Sequence, residues 1–429
     1  MSSSLNIGIA GLGTVGSGVI ELFANNLEHI NKRTGKFLKL TSVSAKDKSK
    51  KRNININDFV WYDDPCDMAA SEDIDVFVEL IGGSDGIPKK SVEIALSSGK
   101  HVVTANKALI ATHGFELSKI AELNSSLLNF EASVAGGIPI IKSLKESLAG
   151  NKLNKIYGIL NGTCNFILTQ MEKTGKPFAE VLREAQKLGY AESDPSFDIN
   201  GTDTAHKLAV LSALMMGIPP NFSSIRIEGI ESIRSEDIAY SKKLGFCIKL
   251  LGIVLKKDRG YIQRVHPCMI PVTSSISRID DVKNAIFVEG NFIGPLVLEG
   301  LGAGSGPTAS AVVSDLIDIS KGNFIPPFGC SLENKNNIEK IDTERFGPWY
   351  IRLEVIDKPG VLAEIAAELK NQSVSIESVL QRGRAPGECV SLIITTHETN
   401  EKNFKNAMEK IKKLNALTEP PCMIRIENF

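Results

Sequence analysis

The sequence lacks the features that mark several classes of protein. Its seven cysteines are an odd number without any Cys-x-x-Cys pair, which argues against a disulfide framework and a structural zinc site. Its six histidines are scattered, and no apolar run reaches the ~18 residues of a membrane-spanning helix. The net charge is only −1, so nothing points to nucleic acid or a membrane surface. With no signal-peptide pattern at its N-terminus, we expect a cytoplasmic globular protein.

The N-terminal part of the chain, 1–138, alternates short apolar runs with amphipathic helical runs. Residues 5–10 are apolar on both faces, which predicts a parallel strand covered by helices on both sides. A helix is predicted from Val15, followed by further strands at 37–45, 73–81, 101–104 and 127–132 and helices at 92–98 and 115–123. This β-α-β-α order predicts an α/β domain with a doubly wound parallel sheet.

A Gly-x-Gly-x-x-Gly turn connects the first predicted strand to the first helix. It runs through Gly11, Leu12, Gly13, Thr14, Val15 and Gly16, and Ser17 and Gly18 continue it. In this setting the first glycine permits a tight turn, the second lets backbone approach a pyrophosphate, and the third allows close helix–strand packing. The helix N-terminus also favours phosphate groups. The turn therefore predicts a Rossmann domain that binds NAD or NADP, with a bare structural turn as the alternative.

The choice between NAD and NADP depends on the end of the second strand. An acidic residue there usually binds the ribose 2′-hydroxyl of NAD. Here the strand is followed by Lys46 and Asp47, and then by the basic residues 50–52. The basic cluster suits a 2′-phosphate, whereas Asp47 would suit NAD and a solvated loop would have the same composition. The sequence favours NADP and leaves NAD open.

The rest of the 429-residue chain predicts further domains. Helical and β-rich stretches mix from 139 to 301, which indicates an α+β domain. Residues 302–325 are glycine-rich and then helical, and we expect them to pack back onto the first domain. Residues 326–348 are polar and contain Pro326 and Pro327, so we interpret them as a linker. Residues 349–429 have the β-α-β-β-α order of a ferredoxin-like fold with a short terminal β segment.

An acid-rich run in the second domain supplies candidate chemistry. Glu192, Asp198 and Asp203 precede Lys207, and Asp203 and Lys207 lie one helical turn apart. A lysine can take the hydroxyl proton when an alcohol is dehydrogenated, and acids can hold a substrate ammonium group. An exposed ion pair is the alternative. A second lysine, Lys107, follows a predicted strand at the carboxyl end, where open α/β sheets bind ligands.

Several motifs, in order along nearly the whole chain, resemble those of the homoserine dehydrogenase family. They are Gly-Leu-Gly-Thr-Val-Gly-Ser-Gly at 11–18, Val-Glu-Leu-Ile-Gly-Gly at 78–83, Thr-Ala-Asn-Lys at 104–107, Glu-Ala-Ser-Val-Ala-Gly-Gly-Ile-Pro at 131–139, Asn-Gly-Thr-Cys-Asn at 161–165, the acid run at 192–207 and Gly-Ala-Gly-Ser-Gly-Pro-Thr-Ala-Ser-Ala at 302–311. The resemblance implies NAD(P)-dependent interconversion of L-homoserine and L-aspartate 4-semialdehyde in threonine and methionine biosynthesis.

The resemblance also implies roles for individual residues. Lys207 would donate and accept the proton, and Glu192 would bind the substrate, with Asp198 and Asp203 in the same site. Lys107 would contact both cofactor and substrate. The central domain would bind substrate and form the subunit interface of a dimer or tetramer.

Two loops are further implied to bind ligands. Gly302 would contact the cofactor. A sodium ion would be held by Glu131 and by the carbonyls of Val134, Gly136 and Ile138, since oxygen ligands suit such a hard cation.

The sequence leaves two other functions open. Cys164 lies within a predicted site region, where a phosphorylating semialdehyde dehydrogenase would use a thiolate nucleophile. The family often has threonine there, so we interpret Cys164 as a packing residue. A non-catalytic sensor of dinucleotide and amino acid is the third possibility, and the acid run with Lys207 argues against it.

The C-terminal segment Asp357-Lys358-Pro359-Gly360-Val361-Leu362 resembles the strand-to-helix loop of ACT domains. Such domains commonly bind amino acids and pair between subunits. The resemblance implies feedback inhibition by L-threonine, and a pairing module without a ligand is the alternative.

Overall fold

A parallel sheet forms the first domain of the computed structural model, which describes residues 4–257, 260–331, 345–381 and 387–429. Its elements are β1 (Ser4–Ala10), α1 (Thr14–Asn31), β2 (Phe37–Ser44), β3 (Val60–Tyr62), α2 (Pro65–Ala70), β4 (Val76–Glu79), α3 (Ile87–Ser97), β5 (His101–Thr104), α4 (Lys107–Leu123) and β6 (Leu128–Asn129). The strand order is β3-β2-β1-β4-β5-β6, with every pair parallel. The predicted doubly wound sheet is confirmed, and its topological switch point lies between β1 and β4.

Alternate residues of these strands bury opposite faces of the sheet. Ile7 and Ile9 of β1 join one apolar cluster with α1, whereas Phe77 of β4 and Val102 of β5 join the cluster on the other side. A strand apolar on both faces is what a sheet covered on both sides requires.

The central domain combines an antiparallel sheet with helices, as the α+β pattern predicts. Its elements are α5 (Ile140–Lys142), which continues as a π-helical turn at Ser143–Ser147, β7 (Leu153–Ile159), α6 (Gly162–Thr174), α7 (Phe178–Lys187), α8 (Ser196–Ile199), α9 (Thr202–Met216), β8 (Arg226–Ile227), α10 (Ser235–Lys243), β9 (Phe246–Lys257), β10 (Gly260–Pro271), β11 (Lys283–Gly290) and β12 (Gly294–Leu301). The sheet order is β12-β11-β7-β9-β10, and α9 packs against β9 and β10.

The next helix, α11 (Ser305–Lys321), returns to the first domain and packs along α1. Val312 and Leu316 share an apolar cluster with Val19 of α1. The crossing is close at Gly18, where a Cβ would lie 2.3 Å from Ser305 Oγ. The hydroxyl of Ser305 donates to the carbonyl of Thr14. These contacts bring the second glycine-rich loop next to the first.

The C-terminal domain has the ferredoxin-like order that the sequence predicts. Its elements are β13 (Phe346–Gly347), β14 (Trp349–Ile356), α12 (Val361–Asn371), β15 (Ile376–Gln381), β16 (Cys389–Thr396), β17 (Thr399–Asn400), α13 (Glu401–Ile411) and β18 (Cys422–Ile426). The sheet order is β18-β14-β16-β15. Of the predicted linker, residues 332–344 lie outside the described residues.

The sheets of the central and C-terminal domains form one continuous sheet, which the sequence did not predict. Strand β18 pairs in parallel with β10, so that Arg425 lies opposite Cys268. A buried ion pair crosses the same junction. Asp237 of α10 accepts hydrogen bonds from Arg352 Nε (2.8 Å) and from the Tyr350 hydroxyl (2.9 Å), both on β14.

Candidate active site

A cavity of about 540 Å³ opens between the first and central domains. Its volume lies within the range of ligand pockets, roughly 300–1,000 Å³. The residues that line it include the predicted Val15, Lys107, Gly136, Glu192, Asp198, Asp203, Lys207 and Gly302. Segments that are far apart in the sequence thus meet at one cavity, at the carboxyl ends of β1 and β5.

Asp203 lies at the centre of a charged network in this cavity. One carboxylate oxygen is 2.9 Å from Lys107 Nζ, and the other is 2.8 Å from Lys207 Nζ. Burial by itself would raise the pKa of Asp203, but the two ammonium groups outweigh burial and hold that pKa well below its usual range. The carboxylate therefore stays ionised and holds both lysines at the cavity.

Lys207 is buried, yet its side chain lines the cavity. It follows Asp203 by one turn of α9, which Leu208 and Leu211 anchor in the core. Its Nζ donates to Asp203 and also to the carbonyl of Leu160, at 2.6 Å. An ammonium group has three donors, so one can still serve a ligand.

Asn161 connects the acids of this network, and sequence reasoning missed its role. Its Nδ2 donates to Asp198 and to Asp203, each at 2.8 Å, while its Oδ1 caps α6 by accepting from the Cys164 backbone N–H. Burial and the nearby Asp203 raise the pKa of Asp198. An Asn before Gly at a helix start is a capping signal that could have revealed Asn161.

Glu192 lies at the exposed rim of the cavity. The segment before it is held in place because the Thr163 hydroxyl donates to the carbonyl of Tyr190 at 2.7 Å. Gln186 on α7 also donates to the carbonyl of Glu192 at 3.1 Å. The carboxylate therefore stands at the cavity mouth on a fixed backbone.

Lys107 lies in the first turn of α4, where the sequence predicted a loop before a helix at 115–123. Asn106 caps this helix by accepting from the Leu109 backbone N–H. The Nζ of Lys107 also lies over the ring of Phe197, 5.5 Å from its centre. Burial lowers the pKa of Lys107, but Asp203, Asp198 and Glu192 together raise it.

The glycine turn has the shape that a dinucleotide phosphate group needs. A Cβ on Gly11, whose φ is +102°, would lie 2.3 Å from the Leu80 carbonyl oxygen, and one on Gly16 would lie 2.0 Å from the Gly11 oxygen. Beside Gly13 a Cβ would meet no atom within 4 Å, so this face is open. The turn thus leaves α1 free to present its N-terminus to an anion. Leu12, Thr14, Ser17 and Gly18 complete the turn and the first residues of α1.

The basic segment after β2 lies against this turn. Arg52 donates from Nε to the Leu12 carbonyl (3.3 Å) and from Nη2 to the Asp47 carbonyl (2.7 Å). Lys46 is exposed directly after the strand. The Asp47 carboxylate accepts from the Ser49 backbone and hydroxyl, so it is engaged within its own loop.

The loop proposed for sodium is buried and tightly turned. Its Glu131 carboxylate accepts from the backbone N–H groups of Ile141 and Lys142, and burial together with Asp315 raises the pKa of Glu131 to about 7. The Ile138 carbonyl accepts from the Ile140 N–H at 2.8 Å. Within the described ranges, no three His, Cys, Asp or Glu side chains group as a metal site, so backbone carbonyls would have to contribute.

Cys164 lies outside the cavity lining, under Asp198. It is fully buried, and its Sγ donates to the Asp198 carbonyl at 3.2 Å. Burial raises the pKa of this thiol well above its usual range. A nucleophile needs the thiolate, so the geometry opposes the phosphorylating alternative.

A second candidate site lies in the loop before α12. Gly360 has a φ of +96° and is the N-cap of α12, and a Cβ there would meet no atom within 4 Å. The backbone of Asp357 bonds to that of Glu388 and Gly387, which closes the base of the loop. An open helix N-terminus of this kind suits a carboxylate.

Models of known families match three parts of the chain. A homoserine dehydrogenase model matches residues 139–317, a homoserine dehydrogenase NAD binding domain matches residues 11–131, and an ACT domain matches residues 349–416. None of the helices in the described part of the chain has the length and apolar character needed to cross a bilayer.

Relatives and solved structures agree along the whole chain. The homoserine dehydrogenase of Neisseria gonorrhoeae is 43% identical over 99% of both chains, and that of Helicobacter pylori is 40% identical over 100% of both. A homoserine dehydrogenase structure from Thiobacillus denitrificans superposes with a TM-score of 0.93 at 40% identity, covering 100% of this chain and 99% of that one. A hyperthermophilic archaeal homoserine dehydrogenase in complex with NADPH has a TM-score of 0.65 at 28% identity, covering 76% and 99%.

Proposed function

The chain belongs to the homoserine dehydrogenase family, and on that premise we propose that its cavity interconverts L-homoserine and L-aspartate 4-semialdehyde, with Lys207 as the proton-transfer residue. The observation that carries this proposal is the buried Lys107–Asp203–Lys207 network at the cavity. The experiment is an absorbance assay of reduced cofactor with L-homoserine and NADP or NAD. Homoserine-dependent formation of reduced cofactor supports the proposal, and its absence with both cofactors refutes it.

The bound nicotinamide cofactor supplies the hydride chemistry, and the protein supplies the proton chemistry. In homoserine oxidation, Lys207 takes the proton of the substrate hydroxyl; in the reverse direction, it returns a proton to the aldehyde oxygen. Asp203 and the Leu160 carbonyl engage two of its hydrogen-bonding positions, which leaves the remaining position available for the reacting oxygen.

Three other side chains bind the substrate in this proposal. Glu192 at the rim and Asp198 within the cavity hold the substrate ammonium group, because both are acids and both line the same space. Lys107 holds an oxygen of the substrate near the cofactor, at the end of β5. Replacing Glu192 by glutamine should raise the KM for homoserine more than it changes kcat, and an unchanged KM would argue against this role.

We also propose that the enzyme prefers NADP. Arg52 donates to the Leu12 carbonyl of the glycine turn, and Lys46 is exposed on the same segment after β2, while the Asp47 carboxylate bonds within its own loop. The turn itself fits either dinucleotide. The archaeal relative solved in complex with NADPH shows that a protein of this fold can bind that cofactor.

Lys46→Glu should raise the KM for NADP about tenfold and change the KM for NAD by less than twofold. A reversed charge would repel a 2′-phosphate, and ~1.4 kcal/mol corresponds to a factor of ten. Lys119→Glu, an exposed lysine on α4, makes the same change of net charge away from the cofactor turn and serves as the control. Equal effects of both variants, or equal effects on NADP and NAD, would contradict the proposal.

We propose that the 131–138 loop holds a monovalent cation, sodium. Among the described residues, no N–H or side chain donates to the carbonyl oxygens of Val134 or Gly136, which leaves both open to a cation. Glu131 brings a carboxylate to the same loop. Sodium in place of choline in the buffer should raise the melting temperature, and an unchanged value would argue against the site.

We propose that the C-terminal ACT domain binds L-threonine as an inhibitor. The open N-terminus of α12 at Gly360 supports a carboxylate contact, and the continuous sheet and buried ion pair give the domain a rigid connection to the catalytic half. L-threonine should lower the initial rate of the full chain, and Gly360→Val should raise the half-inhibiting concentration at least tenfold. D-threonine, which has the same charges and the opposite chirality, is the control. Equal inhibition by both enantiomers, or inhibition by neither, would contradict a threonine site and favour a domain that only pairs subunits.

The enzyme is proposed to act as a homo-oligomer, a dimer or tetramer, in the cytoplasm. Sedimentation equilibrium tests the assembly, and a monomer at micromolar concentration would contradict it.

A further inference from the structure

Asn284 is a buried polar residue of the cavity lining, and it has no assigned role in the proposed reaction. It lies on β11 directly before Ala285, which pairs with Ile159 at the end of β7. This register brings its side chain to Leu160, which directly follows β7. Its Nδ2 donates to the Leu160 carbonyl at 3.0 Å.

The Leu160 carbonyl is shared with the proposed catalytic lysine. Lys207 Nζ donates to this oxygen at 2.6 Å, so the oxygen accepts from both side chains. A carbonyl oxygen has two lone pairs, and together these two donors use both. A carbonyl oxygen can only accept a hydrogen bond, so the Nδ2 end of the Asn284 amide must face it.

A purely structural role would not explain an amide at this position. The other end, Asn284 Oδ1, is buried without a hydrogen-bond partner among the described residues. An unpaired buried acceptor costs free energy, which an apolar side chain of similar size would avoid. Such local conflicts are expected where a side chain serves the reaction.

The Asn284 amide also packs closely against Gly302 in the second glycine-rich loop. A Cβ on Gly302 would be 2.0 Å from Asn284 Nδ2 and 2.1 Å from its Cγ. Only glycine leaves room for the amide there. Asn284 thus contacts the loop proposed for the cofactor and the carbonyl that holds Lys207.

We propose that Asn284 is a positioning residue for the dehydrogenase reaction, which fixes the Leu160 carbonyl and through it the Nζ of Lys207. This inference rests on the proposed role of Lys207. The amide sets the direction of the carbonyl, and the carbonyl sets where the lysine points its remaining donor.

The test compares Asn284→Ala and Asn284→Asp with Asn165→Ala. Asn165 is a matched control because it is also a buried asparagine. Its Nδ2 donates to the carbonyls of Ile279 and Lys283, in the segment that leads into Asn284, and it makes no hydrogen bond to Leu160. Asn284→Ala should lower kcat about 10- to 100-fold, since small misplacements of catalytic groups are costly, with the KM for cofactor nearly unchanged. Asn165→Ala should lower the melting temperature but keep kcat within threefold.

The aspartate variant adds a readout that a structural role would not move. A carboxylate cannot donate to Leu160, and its negative charge near Lys207 favours the ammonium form. The pH at which homoserine oxidation reaches half its maximum should therefore rise by about one unit. Gly302→Ala, whose Cβ would displace the amide, should reproduce the loss of kcat, and should add little to Asn284→Ala in the double variant.

Each outcome supports or overturns the proposal. It is overturned when Asn284→Ala and Asn165→Ala lower kcat by the same factor and the pH profile of Asn284→Asp matches the wild type. Should the Asn284 variants not fold, an unaltered kcat in Gly302→Ala overturns it as well. If Lys207→Ala keeps the wild-type rate, the proposed function itself fails. If Lys207→Ala is inactive but the Asn284 variants behave like the wild type, the proposed role of Asn284 alone fails.

Discussion

Lys207→Ala should lower kcat for homoserine oxidation by about 10²- to 10⁴-fold, which is the range that general acid–base catalysis contributes. The side chain is buried beside the cavity, and its Nζ is fixed by Asp203 (2.8 Å) and by the Leu160 carbonyl (2.6 Å). Asp203 is a poor alternative base, because the two lysines hold its pKa well below its usual range. The rate is measured from the absorbance of reduced cofactor with saturating homoserine and NADP.

Cys164→Ser is the matched control for this result. Serine can still donate to the Asp198 carbonyl as the thiol does, so the backbone under the cavity keeps its support. Its kcat should remain within threefold of the wild type. An inactive Cys164→Ser beside an active Lys207→Ala would instead favour thiol chemistry.

Asp237→Ala should lower the free energy of unfolding by about 3–5 kcal/mol, as expected for breaking a buried ion pair from one side. Asp237 is fully buried in α10 and accepts from Arg352 and Tyr350 of the C-terminal domain and from the Arg234 backbone. Its removal leaves Arg352 in the interior, and among the described residues its remaining charged partner is Glu354, at 3.0 Å. Urea denaturation of the full chain measures the change.

Glu28→Ala is the control for this prediction. Its pair with Lys32 has a similar length, 2.6 Å, but the two side chains are 85% and 72% exposed. Exposed pairs contribute little, so the urea midpoint should hardly move. Similar shifts for Asp237→Ala and Glu28→Ala would mean that the domain junction is not held by the buried pair. The double variant Asp237→Ala/Arg352→Leu should regain part of the loss, since it removes the uncompensated charge.

The first domain could be predicted from the sequence because its signals are local. The strand β1, the glycine turn and the start of α1 follow one another directly along the chain, and each has its own pattern. The strand at His101–Thr104 also matches the predicted bounds. Lys207 and Asp203 were found by helical spacing, which the structure maintains.

Shorter and capped elements were missed although some signals were present. The helix α2 has Asp64 as its N-cap and Pro65 in its first turn, and α6 has Asn161 as its N-cap and Gly175, in the left-handed region, as its C-cap. Both patterns mark helix ends. The strand predicted at 127–132 shortened to Leu128–Asn129 because Glu131–Ser133 turns into a 3-10 helix.

Other features have no local signal. The pairing of β18 with β10 joins segments that are distant in sequence and belong to different domains. No residue pattern in either strand indicates which strand it pairs with. The contact between Asn284 and Leu160 is also invisible in sequence, because a backbone carbonyl has no side-chain identity. Such sites follow from register and packing, which depend on the whole fold.

The role of Lys207 is tested most directly by rescuing Lys207→Ala with small primary amines. The alanine leaves space beside Asp203 and Leu160 in which an amine can take the place of the missing Nζ. Homoserine oxidation should recover in a saturable manner, and the rescued rate should increase with the basicity of the amine. A rate that no amine restores, or one that is the same for weakly and strongly basic amines, would contradict proton transfer at this position.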